Sequence, residues 1–144
     1  MHNILIEEMI GKDEPANTLK DQDPKNPQDF FNQTVEQIEQ LYQAGLVHGD
    51  LSAFNILNNE EKPVLIDFSQ STLTTTPNCK DLLRRDIENV CKYFKKHGVN
   101  NDPQEVYDKI MVDSLNHQKE REVKRKMEDT KEQVKEKMKD AEQK

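Results

Sequence analysis

The stretch that decides the fold is His48-Gly49-Asp50-Leu51-Ser52-Ala53-Phe54-Asn55, followed by Leu65-Ile66-Asp67-Phe68-Ser69. Asp50 and Asn55 stand five residues apart on a short polar loop that runs into the apolar pair Ile56-Leu57. Asp67 follows Asn55 by twelve residues and closes a second apolar run, Val64-Leu65-Ile66. Between the runs lies Asn58-Asn59-Glu60-Glu61-Lys62-Pro63, a polar turn, so the two runs read as a β-hairpin. A hairpin of this length returns the end of its second strand to the start of its first. Asp50, Asn55 and Asp67 can therefore converge on one point. Taken singly, Asp50 and Asn55 read as turn residues and His48 as a packed histidine. Asp67 is harder to read that way, because an acid closing a buried strand is costly to desolvate without partners.

Three oxygen-bearing side chains at one point suit Mg²⁺ (or Mn²⁺), hard cations that take one or two carboxylates together with phosphates and water. Phosphoryl transfer needs such an assembly: metal to neutralise phosphate charge, and a carboxylate to orient and deprotonate the attacking group. The spacing D-x₄-N, then an Asp after the next strand, is that of a kinase catalytic loop and its metal-binding Asp.

Outward from this centre, Asn26-Pro27 with Asp29 predicts the start of a helix, by cap, proline at the first position and an acid at the positive dipole end. Phe31, Val35, Ile38 and Tyr42 give its inner stripe, flanked by Phe30 and Leu41, and Gly45 its stop. Upstream, Ile4-Leu5-Ile6 reads as a strand. Gly11 to Asp29 reads as a long connection with a helical turn near Thr18 to Lys20. Downstream, Gln70 to Pro77 is a threonine-rich connection. A second helix is expected from Asn78, with Asp81 in a capping-box-like place and Leu83, Ile87, Val90, Cys91 and Phe94 inward, ending at Gly98. A third begins at Asp102-Pro103, with Val106, Ile110 and Leu115 on its inner face.

Past Gln118 the composition turns charged, so residues 1–117 form one lobe and 118–144 a helical tail. Glu120/Lys124 and Glu122/Lys126 sit four apart, each pair contributing about 0.2–0.5 kcal/mol. Met127, Val134 and Ala141 recur at seven, as in a coiled-coil arm. Polar Thr130 and Lys137 in the d-type positions favour a solvated, fraying helix instead. The expected fold class is α+β: a mainly helical kinase-like C-lobe with a small hairpin and a charged C-terminal helix.

Length and composition agree with one modest domain: 144 residues, 33% hydrophobic, 34% charged, net charge −7. An acidic balance lacks the basic footprint of a dedicated nucleic-acid-binding module. No apolar run approaches the roughly 18 residues needed for a membrane span, and the start lacks signal-peptide character, so the cytoplasm is the expected location. Cys79 and Cys91 fit neither a disulfide framework nor a CxxC site and read as small apolar residues.

At His48–Leu57, Leu65–Ser71 and Leu83-Arg84-Arg85-Asp86-Ile87-Glu88-Asn89-Val90, the chain resembles the RIO family of atypical serine/threonine protein kinases. Ile4 to Gly11 is similar to that family's hinge between lobes. The resemblance implies Asp50 as catalytic aspartate, Asn55 and Asp67 as metal ligands, and Asp67 also as site of a phosphoaspartate. It implies Glu8 and Ile10 as backbone contacts to adenine, Ser52 near the phosphates, ATP as substrate, and a role in small-ribosomal-subunit maturation on the precursor particle. The short Ser69–Pro77 linker agrees with a family lacking the usual activation segment. Ala53 stands where an acid is usual, and Glu7 where an apolar gatekeeper is usual, which would weaken nucleotide binding. Only three residues precede Ile4, leaving no room for a glycine-rich loop, strand lysine and helix glutamate. The expectation is a C-terminal lobe that works with a separate N-lobe polypeptide. The alternative is a non-catalytic binding module or a truncated fragment.

Overall fold

The computed structural model describes residues 16–142. The strand expected at Ile4–Ile6 and the positions Glu8 and Ile10 lie outside the described residues.

Helix α1 (Pro27–Gln43) starts as its sequence demands: the Asn26 side chain accepts the Asp29 N–H at 3.2 Å, and Pro27 fills the first turn. Gly45, at φ +93°, ends it. Its buried face is Phe30, Phe31, Thr34 and Ile38. Val35 and Tyr42, expected inside, are only half-buried, because the stripe is centred nearer Phe30 than the apolar pattern suggested.

Among the described residues five short strands form two small sheets, one of them containing the hairpin. Strand β1 (Asn17–Thr18) pairs antiparallel with β3 (Ile56–Asn59), which pairs in turn with β4 (Lys62–Leu65), Ile56 opposite Leu65. The helical turn expected near Thr18 to Lys20 is thus an edge strand followed by a turn. Its backbone bonds outward, Leu19 N–H to Ile56 O at 2.9 Å and Lys20 N–H to Ala53 O at 3.1 Å. A second sheet joins β2 (Leu46–Val47) to β5 (Thr72–Leu73), inside the stretch read as an irregular threonine-rich connection.

The hairpin turns on Glu60 and Glu61, both left-handed at φ 52° and 66°. Side chains other than Gly, Asn or Asp pay about 1–2 kcal/mol for this conformation. Glu61 offsets the strain: its carboxylate accepts N–H groups of Lys25 at 2.7 Å and Asn26 at 3.1 Å, and the Asn58 amide at 3.1 Å. The hairpin tip is thereby tied to the start of α1.

Helix α2 (Cys79–Lys95) buries Cys79, Leu83, Asp86, Ile87, Val90, Cys91 and Phe94. The Asn78 side chain, expected as its cap, makes no capping bond; the Asn78 carbonyl accepts the Leu82 N–H instead. Phe94 is the aromatic centre, 5.4 Å from Phe31 edge-on, 6.1 Å from Phe30 and 5.0 Å from Tyr93. Such pairs add about 0.5–1.5 kcal/mol each beyond area burial. Both cysteines are free and buried, and burial pushes the Cys91 thiol up to about 11, where it is inert.

Helix α3 (Pro103–Glu142) starts with Asp102 accepting the Gln104 N–H at 3.0 Å and buries Val106, Tyr107 and Ile110. It runs unbroken through the change of composition at Gln118. The chain divides into two compact units after Ile110. Leu115, expected on the inner face, lies past that division and is 52% exposed. No described helix is long and apolar enough to cross a membrane.

Candidate functional site

The loop between β2 and β3 is held rigid from three sides. From the hairpin, the Ile66 N–H donates to Asn55 O at 2.9 Å, extending the ladder one step beyond Ile56 and Leu65. Asp67 is therefore the next residue after the ladder, and it turns away left-handed at φ 58°. From within the loop, the Asn55 amide nitrogen donates to Asp50 O at 2.6 Å. Between loop and strand, His48 is 1% exposed and bonds at both ring nitrogens, Nε2 to Ile66 O at 2.7 Å and Nδ1 accepting the Asp50 N–H at 3.1 Å. The carbonyl can only accept and the amide only donate, so the ring is the Nε2–H tautomer. His48 is a brace that fixes Asp50 relative to the strand leading to Asp67, with the Phe68 ring 4.9 Å from its own.

The third side is helix α2. The Asp86 carboxylate, 1% exposed, accepts the N–H groups of Gly49 at 2.8 Å and Leu51 at 3.0 Å. Arg85 donates to Gly49 O at 2.6 Å, and Asn89 donates to Leu51 O at 3.1 Å. Every main-chain polar group of the two residues flanking Asp50 is thus satisfied by Arg85, Asp86 and Asn89. Burial pushes the Asp86 carboxyl up, against the N–H groups of Leu51 and Gly49 and the charge of Arg85, which favour the ionised form. Sequence reading gave these three residues no role. The available signal was Asp86 itself, an acid on the same helical face as Leu83, Ile87 and Val90.

Gly49 sits at φ +86°, and a Cβ there would meet Gln70 O at 2.5 Å. Gly45, also left-handed, has only Thr74 Oγ1 at 3.9 Å near its Cβ position. Gly45→Ala should cost about 1–2 kcal/mol, the conformational penalty alone. Gly49→Ala should cost more, about 2–4 kcal/mol, since loop or linker backbone must also move. Urea unfolding midpoints of the two variants check this; equal losses would mean the contact is not tight.

The exposed side chains of the loop differ in their commitments. Asp50 has both main-chain groups bonded and, among the described residues, no bond to its carboxylate. Asn55 has spent its amide nitrogen on Asp50 O, which leaves Oδ1 as an outward oxygen donor. Asp67 Oδ1 accepts from the Ser69 hydroxyl at 2.7 Å and the Ser69 N–H at 3.4 Å. Ser69's hydroxyl, then its N–H, hold the Asp67 carboxyl below the ordinary carboxylate range against an opposing desolvation. Asp67 is therefore ionised at neutral pH. Ser52 faces inward to the loop, its Oγ accepting the Phe54 N–H at 3.2 Å. Among the described residues no group of three or more His, Cys, Asp or Glu is placed to hold a metal. The donor set here is two carboxylates and an amide oxygen, all hard, which fits a magnesium-like ion completed by phosphate and water. A groove of about 440 Å³ lined by Gln37, Gln40, Leu41, Pro63, Val64, Leu65 and Phe68 carries no titratable group and is not part of this cluster.

The RIO domain family model matches residues 1–106. The RIO-type serine/threonine-protein kinase Rio1 of Haloferax volcanii is 35% identical over 112 residues, covering 77% of this chain and 39% of that protein. The Rio1 kinase of Methanocaldococcus jannaschii is 39% identical over 107 residues, 73% of this chain and 37% of that one. The chain thus spans about two fifths of the length of these curated relatives. The crystal structure of the Rio2 kinase from Chaetomium thermophilum superposes with a TM-score of 0.57 at 25% identity, over 66% of this chain and 33% of that one. Its ADP/Mg²⁺-phosphoaspartate complex gives a TM-score of 0.54 at 22% identity over 65% and 33%, a likeness of fold. The braced loop, the kinase-like fold and the domain match agree: this chain belongs to the RIO family of serine/threonine-protein kinases.

Proposed function

We propose that this lobe carries the metal-and-phosphate half of an ATP-dependent phosphotransferase or ATPase of RIO type. The observation that supports it best is the His48 brace together with the Asn55–Asp50 bond, which hold Asp50, Asn55 and the strand leading to Asp67 as one unit. Asn55 Oδ1 and Asp67 would hold Mg²⁺, which when bound neutralises charge on the phosphates. Asp50, whose carboxylate is bonded to none of the described residues, orients and deprotonates the attacking hydroxyl or water. Asp67, kept ionised by Ser69, is the candidate acceptor of a phosphoryl group; the Rio2 complex bears the name of such a phosphoaspartate. Ser52 stabilises the loop beside the phosphates, and Glu8 and Ile10 are the proposed backbone contacts to adenine.

A kinase-type site also needs a glycine-rich loop and a lysine above the phosphates. The four glycines of this chain, at 11, 45, 49 and 98, never fall at G-x-G spacing. The proposal therefore includes an N-lobe that closes over this one, and family membership supports cytoplasmic work on the maturing small ribosomal subunit. The test uses this chain, alone and mixed with the N-terminal lobe of the Haloferax Rio1 relative, with Mg-ATP. The chain alone should turn over ATP barely; the pair should do so measurably, and Asp67→Ala in the pair should abolish turnover and any acid-stable, hydroxylamine-labile phosphoprotein. A pair that binds Mg-ATP no better than the chain alone overturns the reading in favour of a non-catalytic module.

A further inference from the structure

The second compact unit carries a face that the phosphotransfer reading does not use. Val123, Met127, Val134 and Met138 are 56%, 57%, 50% and 63% exposed. At helical spacing they fall on one stripe together with Thr130 and Ala141, with the charged Lys137 closing its apolar part after Val134. Thr130 does not interrupt that stripe as its polarity suggests. Its hydroxyl donates to Lys126 O at 2.8 Å, so its hydrogen-bonding need is met within the helix and its methyl is left to the surface. Val123, Met127 and Thr130 form a shallow apolar hollow between Lys126 and Lys131.

The charges beside the stripe select its occupant. With Met127 and Val134 in a positions and Val123, Thr130 and Lys137 in d positions, the g positions are Lys119, Lys126 and Gln133 and the e positions Lys124, Lys131 and Met138, so the cationic edges border the Val123–Val134 part of the stripe. A second copy packed parallel would set Lys126 against Lys131 and Lys119 against Lys124. Packed antiparallel, it would set lysine against lysine again. Self-association is thus opposed in either orientation. The rest of the segment opposes an anionic bilayer or nucleic acid: residues 118–142 hold eight acids against nine basic residues and no aromatic. Lys126 meets Glu122 at 3.6 Å, but both are well exposed, and such a pair is weak enough to be exchanged. Apolar centre and cationic edges together match one complement, an amphipathic helix with acids beside its own apolar stripe.

We propose that the Val123–Val134 face of α3 docks an acidic amphipathic helix of another protein, in a two-helix coiled-coil contact. The proposal is independent of catalysis. Its test is fluorescence anisotropy on the full chain with two synthetic helix-forming peptides, both Leu at a and d, one Glu and the other Lys at e and g. The chain should bind the Glu peptide, lose affinity with added salt, and ignore the Lys peptide. Met127→Ser with Val134→Ser should weaken binding roughly tenfold or more. Because serine also loosens a helix, Lys126→Glu with Lys131→Glu gives the second reading: this variant, with helix content unchanged by circular dichroism, should switch preference to the Lys peptide. No binding of the Glu peptide, equal binding of both peptides, or a charge variant with unchanged preference overturns the proposal. So does a dimer by sedimentation, or tighter binding to phosphatidylserine vesicles than to the Glu peptide.

Discussion

Asp86→Ala is expected to remove about 3–5 kcal/mol of stability, although Asp86 touches no ligand. The cost is that of three groups at once. The buried N–H groups of Gly49 and Leu51 lose the acceptor they have among the described residues, at about 1–3 kcal/mol each when water cannot reach them. Arg85, bonded to Gly49 O at 2.6 Å, loses the neighbouring negative charge. Asp86→Asn keeps the volume and one acceptor but turns an amide N–H₂ toward the other main-chain N–H, so it should cost about half as much. Urea unfolding at constant m measures both. A loss below about 1 kcal/mol for Asp86→Ala would mean that the loop satisfies its own backbone without α2. The pH dependence has a definite sign. Burial raises the Asp86 carboxyl, so its contribution is complete below the ordinary value of 3.8 and declines as pH rises through the raised one. The advantage of the native chain over Asp86→Asn should therefore narrow as pH increases across that interval.

Asp50→Asn should lower turnover of the lobe pair about 10²–10⁴-fold while leaving nucleotide affinity nearly unchanged. The separation is possible because the main-chain N–H and carbonyl of Asp50 are held by His48 and Asn55. Among the described residues its carboxylate holds up no other part of the loop. An isosteric amide removes the base and keeps the geometry. Asn55→Ala is the contrast: it deletes the bond to Asp50 O and an oxygen donor together, and should weaken Mg-ATP binding as well as turnover. A fall of less than tenfold for Asp50→Asn, with binding intact, would take proton transfer away from Asp50.

Much of the scaffold was legible because its causes are local. Asn26-Pro27 and Asp102-Pro103 announce helix starts by cap chemistry that acts within three residues, and both caps form. The apolar face of α2 follows from periodicity alone. Asp50, Asn55 and Asp67 could be grouped because a hairpin of known length converts sequence spacing into proximity. The misread strands lie where a short segment takes its structure from a distant one. Thr72–Leu73 has no strand signal of its own and is extended because Leu46–Val47 offers it a ladder. Asn17–Thr18 is a strand only as the neighbour of β3.

By itself, then, the sequence determined where helices begin, which face α2 buries, and that two aspartates and an asparagine flank one hairpin. Tertiary structure alone decided what holds those residues still. His48 joins Asp50 to Ile66 across 18 residues, and Asp86 captures main-chain N–H groups more than 30 residues away. A hydrogen bond of that kind leaves no periodicity in the chain, because donor and acceptor are brought together only by the packing of α2 against the loop.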